Sequence, residues 1–308
     1  QGGTVFSLAR DGTLAVLHAF GNDGLTFGRL TQDKTGNLYG VTQGGDSAFE
    51  LALDGTETVL HSFGKGADGD LPYSGMIIDK EGNLYGTTAG GGTGGCGTVF
   101  KISPDGTESV LYNFQCDVDG GSPQSSLFLK SGALYGTTSE GGAAGAGTVF
   151  KVSLNGNETV IYSFTGGDDG KLPEYGAPIM DQAGKIYGVA SQGGASRCGT
   201  IYQISPNGTF ALLHAFTKSD GCNPDGGLIA DATGGLYGTT KFGGRADWGT
   251  VFMLAPDGSE TVLHSFTGRH GDGAEPLSTL IADKKGNLYG TTSLGGANGV
   301  GTIFWIRE

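Results

Sequence analysis

The sequence has no basic tract, no long apolar run and no window of helical periodicity, and each gap closes off a class of protein. Lys and Arg number 18 against 31 Asp and Glu, for a formal charge of −13, so the cationic footprint that nucleic-acid binding requires is missing. An anionic membrane surface is disfavoured on the same ground. No apolar stretch approaches the roughly 18 residues of a spanning helix, so no membrane span is expected. Gln1 opens directly on repeat material, without a charged n-region or apolar h-region, which implies a chain cut at that point by removal of a signal segment or otherwise. Proline is scarce, at 9 residues, and the 62 glycines follow no Gly-X-Y triplet, so neither collagen nor a Pro-rich disordered segment fits.

What the sequence does have is a repeat. Gly-Asn-Leu-Tyr-Gly-Thr-Thr stands at 82 to 88 and again at 286 to 292, and its tyrosine recurs as Tyr39, Tyr85, Tyr135, Tyr187, Tyr237 and Tyr289, at spacings of 46, 50, 52, 50 and 52 residues. Such a period marks stacked structural units, so the whole chain, 1–308, reads as a single domain despite its length. Each unit holds four short segments rich in β-branched and aromatic residues and bounded by Gly, Pro, Asn or Asp. In the fifth they are Leu228-Ile229-Ala230-Asp231, Gly235-Leu236-Tyr237-Gly238-Thr239-Thr240, Gly249-Thr250-Val251-Phe252-Met253-Leu254 and Glu260-Thr261-Val262-Leu263-His264-Ser265-Phe266. We label them strands A, B, C and D.

Four strands in about 50 residues, repeated in tandem, predict an all-β chain and a β-propeller. A parallel β-helix has shorter coils and lacks the Pro-Asp-Gly turns at 104 to 106 and 256 to 258. Counting gives six A, six B and six D strands but seven C strands, at Val5, Phe49, Val99, Val149, Ile201, Val251 and Ile303. Six four-stranded blades follow, with the ring closed by strands from both termini in one blade. Seven blades would need a unit half missing, and the count leaves one C strand over.

The four cysteines fall in two pairs. Cys96 and Cys198 each precede a C strand, and Cys116 and Cys222 each follow the D strand of the same unit. The two connections concerned lie at one end of a blade, so Cys96–Cys116 and Cys198–Cys222 are expected as disulfides in one register. Zinc is disfavoured by the lack of Cys-x-x-Cys or nearby His spacing. Persistent disulfides place the protein in an oxidising compartment, secreted, periplasmic or at the cell surface.

Gly-Asn-Leu-Tyr-Gly-Thr-Thr, a Gly-Gly tract, Gly-Thr-Val-Phe, Pro-Asp-Gly-Thr-Glu-Thr-Val-Leu-His-Ser-Phe and Asp-Gly-x-x-Pro together resemble the GloVer tandem repeat of bacterial exported proteins. The resemblance covers nearly the whole chain and is clearest at 82 to 120 and 234 to 292. It implies an exported, propeller-like protein and brings no catalytic motif. The pattern departs at Ser47-Ala48-Phe49, where Gly-Thr is missing, so the first blade is expected to be irregular.

The repeat also says which residues are scaffold. His18, His61, His214 and His264 share a D-strand position that holds Tyr112 and Tyr162 elsewhere, as suits an amphipathic side chain making one hydrogen bond at a sheet edge. Asp23, Asp68, Asp119, Asp169, Asp225 and Asp272 recur as Asp-Gly in the D-to-A connections, where turns explain them. A ring of calcium sites is the alternative, disfavoured by the absence of EF-hand spacing; no cofactor is expected.

Function is sought where a unit leaves consensus. The B-to-C connection Lys241-Phe242-Gly243-Gly244-Arg245-Ala246-Asp247-Trp248 replaces residues that are mostly Gly, Ala and Ser, and Arg269-His270-Gly271-Asp272-Gly273-Ala274-Glu275 should lie beside it, with Arg197 at its border. Aromatic faces stack on sugar rings and Arg forks a carboxylate, which suits an acidic glycan. His270 could act as general base of a polysaccharide lyase, or Asp247 and Glu275 as the carboxylates of a glycoside hydrolase. Tyr73, Glu174 and Tyr175 form a second, weaker departure at the channel mouth. The competing reading of the cluster is solvated loop charge with Trp248 packed between blades. The sequence thus favours a secreted, monomeric propeller that binds carbohydrate, acidic polysaccharide first, with cleavage as the further expectation, over a non-catalytic structural or adhesive module.

Overall fold

The computed structural model describes all residues except 1, 2, 10, 22, 23, 27, 65, 270 and 308. The chain is all-β, with no helix among the described residues, and its strands form six antiparallel sheets of at least four strands, a six-bladed β-propeller. Blade 2 shows the common plan, with A at Ile77–Ile78, B at Leu84–Thr88, C at Thr98–Ile102 and D at Glu108–Asn113. No helix among the described residues is long and apolar enough to cross a membrane.

The chain divides into two compact units, residues 1–136 with 150–159, and residues 137–149 with 160–308. The first contains blades 1 and 2, the second blades 4 to 6, and the sheet of blade 3 supplies strands to both. At Ser47-Ala48-Phe49, where the pattern departs, blade 1 forms a C strand, Ser47–Leu51, with the register shift of the other blades, and it has in addition a fifth strand, Leu25–Thr26, paired with its B strand. The expected closure does not take the form of a shared sheet. Thr4–Leu8 and Leu14–Ala19 pair only with each other, and the last C strand, Thr302–Ile306, pairs with its own B strand, Leu288–Gly295. The surplus C strand is accounted for by that separate two-stranded sheet.

The repeated stretch builds the core through its glycine. In blade 5 a Cβ on Gly238 would lie 2.6 Å from Cζ of Phe252, the C-strand ring opposite it. The same close approach pairs Gly86 with Phe100 at 2.5 Å and Gly290 with Phe304 at 2.4 Å. The seated ring then meets the last aromatic of the preceding D strand edge-on, as in Phe216–Phe252, with centroids 5.0 Å apart at 63°. Phe63–Phe100 and Phe266–Phe304 repeat the contact at 4.9 and 5.0 Å. These pairs anchor apolar clusters between neighbouring sheets, one of which joins Val189, Ile201 and Phe216 to Leu228, Leu236 and Phe252. A register shift between Val251 and Phe252 in the C–D pairing, repeated at Val99/Phe100 and Ile201/Tyr202, turns the ring into place.

The other consensus residues are polar fasteners. Thr240 and Thr250 share a buried hydroxyl contact at 2.7 Å, as Thr88 and Thr98 do at 2.9 Å. Tyr85 packs in the cluster between blades 2 and 3, as expected, and its hydroxyl donates to Asp79 in the A–B turn at 2.9 Å. Burial, with Asp79 beside it, pushes this phenol up to about 12. The shared His/Tyr position also behaves as expected: His61 bonds Asp68, Tyr112 donates to Asp119, Tyr162 to Asp169 and His264 bonds Asp272. In the fourth unit, however, the partner is Asp220, 3.1 Å from His214, and not Asp225. Asp225 therefore leaves the Asp-Gly turn set.

Both disulfides form, and no free cysteine remains. Their shared register holds only for the first cysteine of each pair. Cys116 lies two residues after Phe114 and Cys222 six after Phe216, because two separate points of the D–A connection pass the cysteine of the B–C loop.

Two measurements test this scaffold. Gly238→Ala should cost about 1–3 kcal/mol, since the added methyl overpacks Phe252, and Phe252→Leu in the same chain should recover part of it in denaturant titrations. Reduction of Cys96–Cys116, which closes a 20-residue separation, should remove about 3 kcal/mol; an unchanged unfolding midpoint under reducing conditions would contradict this.

Candidate functional site

The second unit gathers most of the departures from consensus on the end that carries the B–C and D–A loops. The expected adjacency of the two connections is built by backbone: Glu275 N–H donates to Trp248 O at 3.0 Å, as Asn223 donates to Cys198 and Leu172 to Ala146. The donor residue stands just before proline in each case and has a left-handed backbone, with φ of 53° at Glu275 and 55° at Asn223 and Leu172. This clamp presents the residue after the proline in a fixed way. That residue is Glu174 in blade 4 and Asp225 in blade 5.

Around these two acids lies the inner part of the site. Lys241 takes the place of Ser191 at the end of the B strand; Ser191 donates to Glu174 Oε1 at 3.1 Å, while Lys241 Nζ sits 4.0 Å from Glu275 Oε2 and 5.1 Å above the Phe242 ring. Phe242 is half-buried against the blade 4–5 core, and its backbone pairs with Cys222. Asp225 is only 8% exposed. Burial above all, then the charge of Glu174, pushes its carboxyl up to about 7 against the opposing pull of Lys241. Burial likewise raises Glu174, opposed by Ser191 and Lys241. One cation thus serves three carboxyl groups, and the most buried of them holds a proton near neutrality.

The outer part is solvent-facing. Arg245, Asp247 and Trp248 follow in the B–C loop, with Arg269 in the next D–A connection. Asp247 Oδ1 accepts from Gly243 N–H at 2.9 Å and Oδ2 faces Lys218 at 3.7 Å, so its carboxylate has neighbours other than those of Glu275. Trp248, 38% exposed, occupies the position of Cys96 and Cys198. Its indole lies over Gly268, where an added Cβ would meet the ring at 3.5 Å.

Strain marks this loop. Arg197 and Asp247 have φ of 58° and 61° at positions where other units carry Gly95, Gly145 and Gly299. A Cβ at any of those glycines would touch nothing within 4 Å, so the positions have room for a side chain, each on a backbone that costs about 1–2 kcal/mol for a non-glycine residue.

The structure thus brings Lys241, Phe242 and Glu275 together with Glu174 and Asp225, and sets Arg245, Asp247, Trp248 and Arg269 on the rim, with Arg197 on the matching loop of blade 4. Tyr175, 47% exposed with φ 55°, stands beside Glu174, whereas Tyr73 belongs to the first unit. His270 lies outside the described residues. Asp225 was missed as a site residue because its Asp-Gly matched the turn pattern; the four-residue spacing of Asp68 to Pro72, Asp119 to Pro123, Asp169 to Pro173 and Asp272 to Pro276 points instead to Asp220, four residues before Pro224.

Residues 1–177 and 174–308 each match the Gloeobacter/Verrucomicrobia repeat. No curated protein matches the chain in sequence. Among solved structures, a streptogramin B lyase superposes with a TM-score of 0.66 at 15% identity, covering 98% of this chain and 86% of that one. A calcium-binding regucalcin from Agrobacterium tumefaciens gives 0.57 at 17%, over 92% and 89%. A gluconolactonase from Xanthomonas campestris gives 0.54 at 14%, over 92% and 86%. At these identities the likeness concerns the fold alone.

Arg197→Gly restores the residue of the equivalent positions and should raise stability, by less than about 1 kcal/mol once glycine's own entropy is counted. A clear fall in the unfolding midpoint would show that the Arg197 side chain makes a contact outweighing the strain.

Proposed function

For this chain, which belongs to the Gloeobacter/Verrucomicrobia repeat family, we propose an extracellular or periplasmic propeller that binds carbohydrate across the loop face of its second unit and cleaves it by proton transfer. The observation that carries the reading is the buried Asp225, held near pH 7 beside Glu174 and Lys241. An acid poised near the working pH is what general acid catalysis needs. The two disulfides support an oxidising compartment.

The rim supplies recognition. Trp248 offers a half-exposed indole face for a sugar ring. Arg197, Arg245 and Arg269 are exposed cations on an otherwise acidic protein, suited to uronate or other carboxylate groups of an acidic polysaccharide. Lys241 steadies negative charge at the centre, and Glu275, its ion-pair partner, is the carboxylate best placed to take a proton or stabilise a cationic transition state. Lyase and hydrolase chemistry both need this acid with a nearby base, so the bond cleaved follows from the product.

A non-catalytic adhesive module is the second reading, favoured by the apolar side chains that blade 6 exposes, Trp305 at 60% and Val300 at 81%.

Product release from acidic and neutral polysaccharides separates the two. Activity should fall as pH rises through about 7, because Asp225 is protonated below that value and loses its proton above it. Asp225→Asn and Glu174→Gln should each lower turnover by roughly a hundredfold or more. Trp248→Ala with Arg245→Ala should weaken glycan binding and leave the fold intact. Glycan binding without turnover of any polymer, unaffected by Asp225→Asn, would leave the adhesive reading standing.

A further inference from the structure

A second cluster of metal-ligating side chains, none of them used above, is formed by the D strands of blades 4 and 5 and the connection between blade 4's D strand and blade 5. His214 is in strand Phe210–Ala215 and Glu260 opens strand Glu260–Ser265. Asp220 follows the first of these strands. One ligand atom from each of the three lies within 4.8 Å of the other two. His214 Nε2 is 3.1 Å from Asp220 Oδ2, with side chains 18% and 21% exposed. The imidazole is fixed edge-on to Phe216 at 4.8 Å. Asp220 Oδ1 is held by Thr217 N–H and Oγ1 at 2.7 and 2.9 Å, which leaves Oδ2 facing the histidine and Glu260.

The unexplained atom is Glu260 Oε1, which is buried and has no hydrogen-bond partner. A carboxylate oxygen withdrawn from water beside a second carboxylate needs a proton or a cation. The buried oxygen recurs at neighbouring interfaces, but among the described residues only at Glu260 do a histidine and an aspartate bring ligand atoms to within 4.8 Å of the glutamate's. Glu108 and Glu158 fill the same slot beside His61–Asp68 and Tyr112–Asp119, each with a buried, partnerless Oε1. Beside Tyr162–Asp169, however, Phe210 takes the glutamate's place and stacks on Tyr162 at 4.7 Å and 20°. A purely structural slot is filled well by Phe against Tyr.

We propose that His214, Asp220 and Glu260 bind a divalent transition-metal cation of the Zn2+ class between blades 4 and 5. One imidazole nitrogen and two carboxylates form a donor set that suits such a cation. Binding needs His214 to present an unprotonated Nε2, so the cation takes the place of the His214–Asp220 hydrogen bond. This inference is independent of the loop-face activity.

The test uses Zn2+ alone on the whole chain. Wild-type protein, stripped with chelator and titrated calorimetrically, should take up Zn2+ with a rise in its unfolding midpoint. His214→Tyr alone recreates the arrangement of Tyr112, Asp119 and Glu158, and together with Glu260→Phe that of Tyr162 and Phe210, so both variants should fold as the parent does, and each should weaken that binding by roughly tenfold or more. Glu260→Gln, with the volume unchanged, serves as a further check on folding. Failure of the wild type to bind, or equal binding by the folded His214→Tyr and His214→Tyr/Glu260→Phe variants, overturns the proposal.

Discussion

Everything in this chain rests on an aromatic ring seated on a glycine. The C-strand ring, Phe252 in blade 5, needs the backbone of Gly238 where any other residue would carry a side chain, with 2.6 Å between the ring edge and the missing Cβ. Once seated it is fully buried and receives Phe216 of the preceding D strand edge-on. Such pairs contribute about 0.5–1.5 kcal/mol beyond the area they bury. Three separated words of the repeat, Tyr-Gly-Thr-Thr, Gly-Thr-Val-Phe and His-Ser-Phe, are therefore one contact written in three places. That is why they recur together, and why Tyr202 can stand in for Phe only with the same edge-on partner, Phe164.

This contact also explains what was legible in the sequence. Strand count, blade count, the role of the repeated Tyr and the His/Tyr position followed from periodicity, since each is copied in every unit and errors in one copy are corrected by the others. Loops carry no such redundancy. In Lys218 to Gly227 two Asp-Gly pairs compete for one structural role, and the dipeptide alone does not tell them apart, although Asp220 is the residue that meets His214. The second cysteines were placed in one register for a similar reason: position after the D strand is visible in sequence, whereas the path of the connection is not. Whether the two end strands share a sheet was equally beyond a strand count, which fixes number and order but not partners.

The same division separates scaffold from chemistry. In the D–A connection the left-handed residue before proline is Leu, Ser, Asn or Glu, so backbone geometry there is tied to the clamp with the B–C loop and not to one side chain. The next residue is free to vary, and variation places Glu174 and Asp225 in neighbouring units. Lys241 replaces a serine at the adjoining position, and Arg197 and Asp247 replace glycines that their backbone would favour. Each choice carries a cost to the fold: two carboxyls lose hydration and two residues accept strain. A chain whose other units show that Gly, Ser and Gln serve equally well has spent stability on one face.

Asp225 and Glu260 make the distinction finer, because burial pushes both carboxyls up to about 7. A raised value alone cannot separate a catalytic acid from a structural or ligand-binding one, and their surroundings do. Asp225 has a second acid, a lysine and an aromatic ring around it, at the loop end where the rim arginines and Trp248 gather, so a proton can be given to something that arrives from solvent. Glu260 faces a histidine and an aspartate from the neighbouring D–A connection, with one oxygen sealed from water. The first arrangement can exchange protons with a substrate; the second can only hold what enters it. Equal electrostatic cost therefore points to different uses, and the neighbouring side chains decide which.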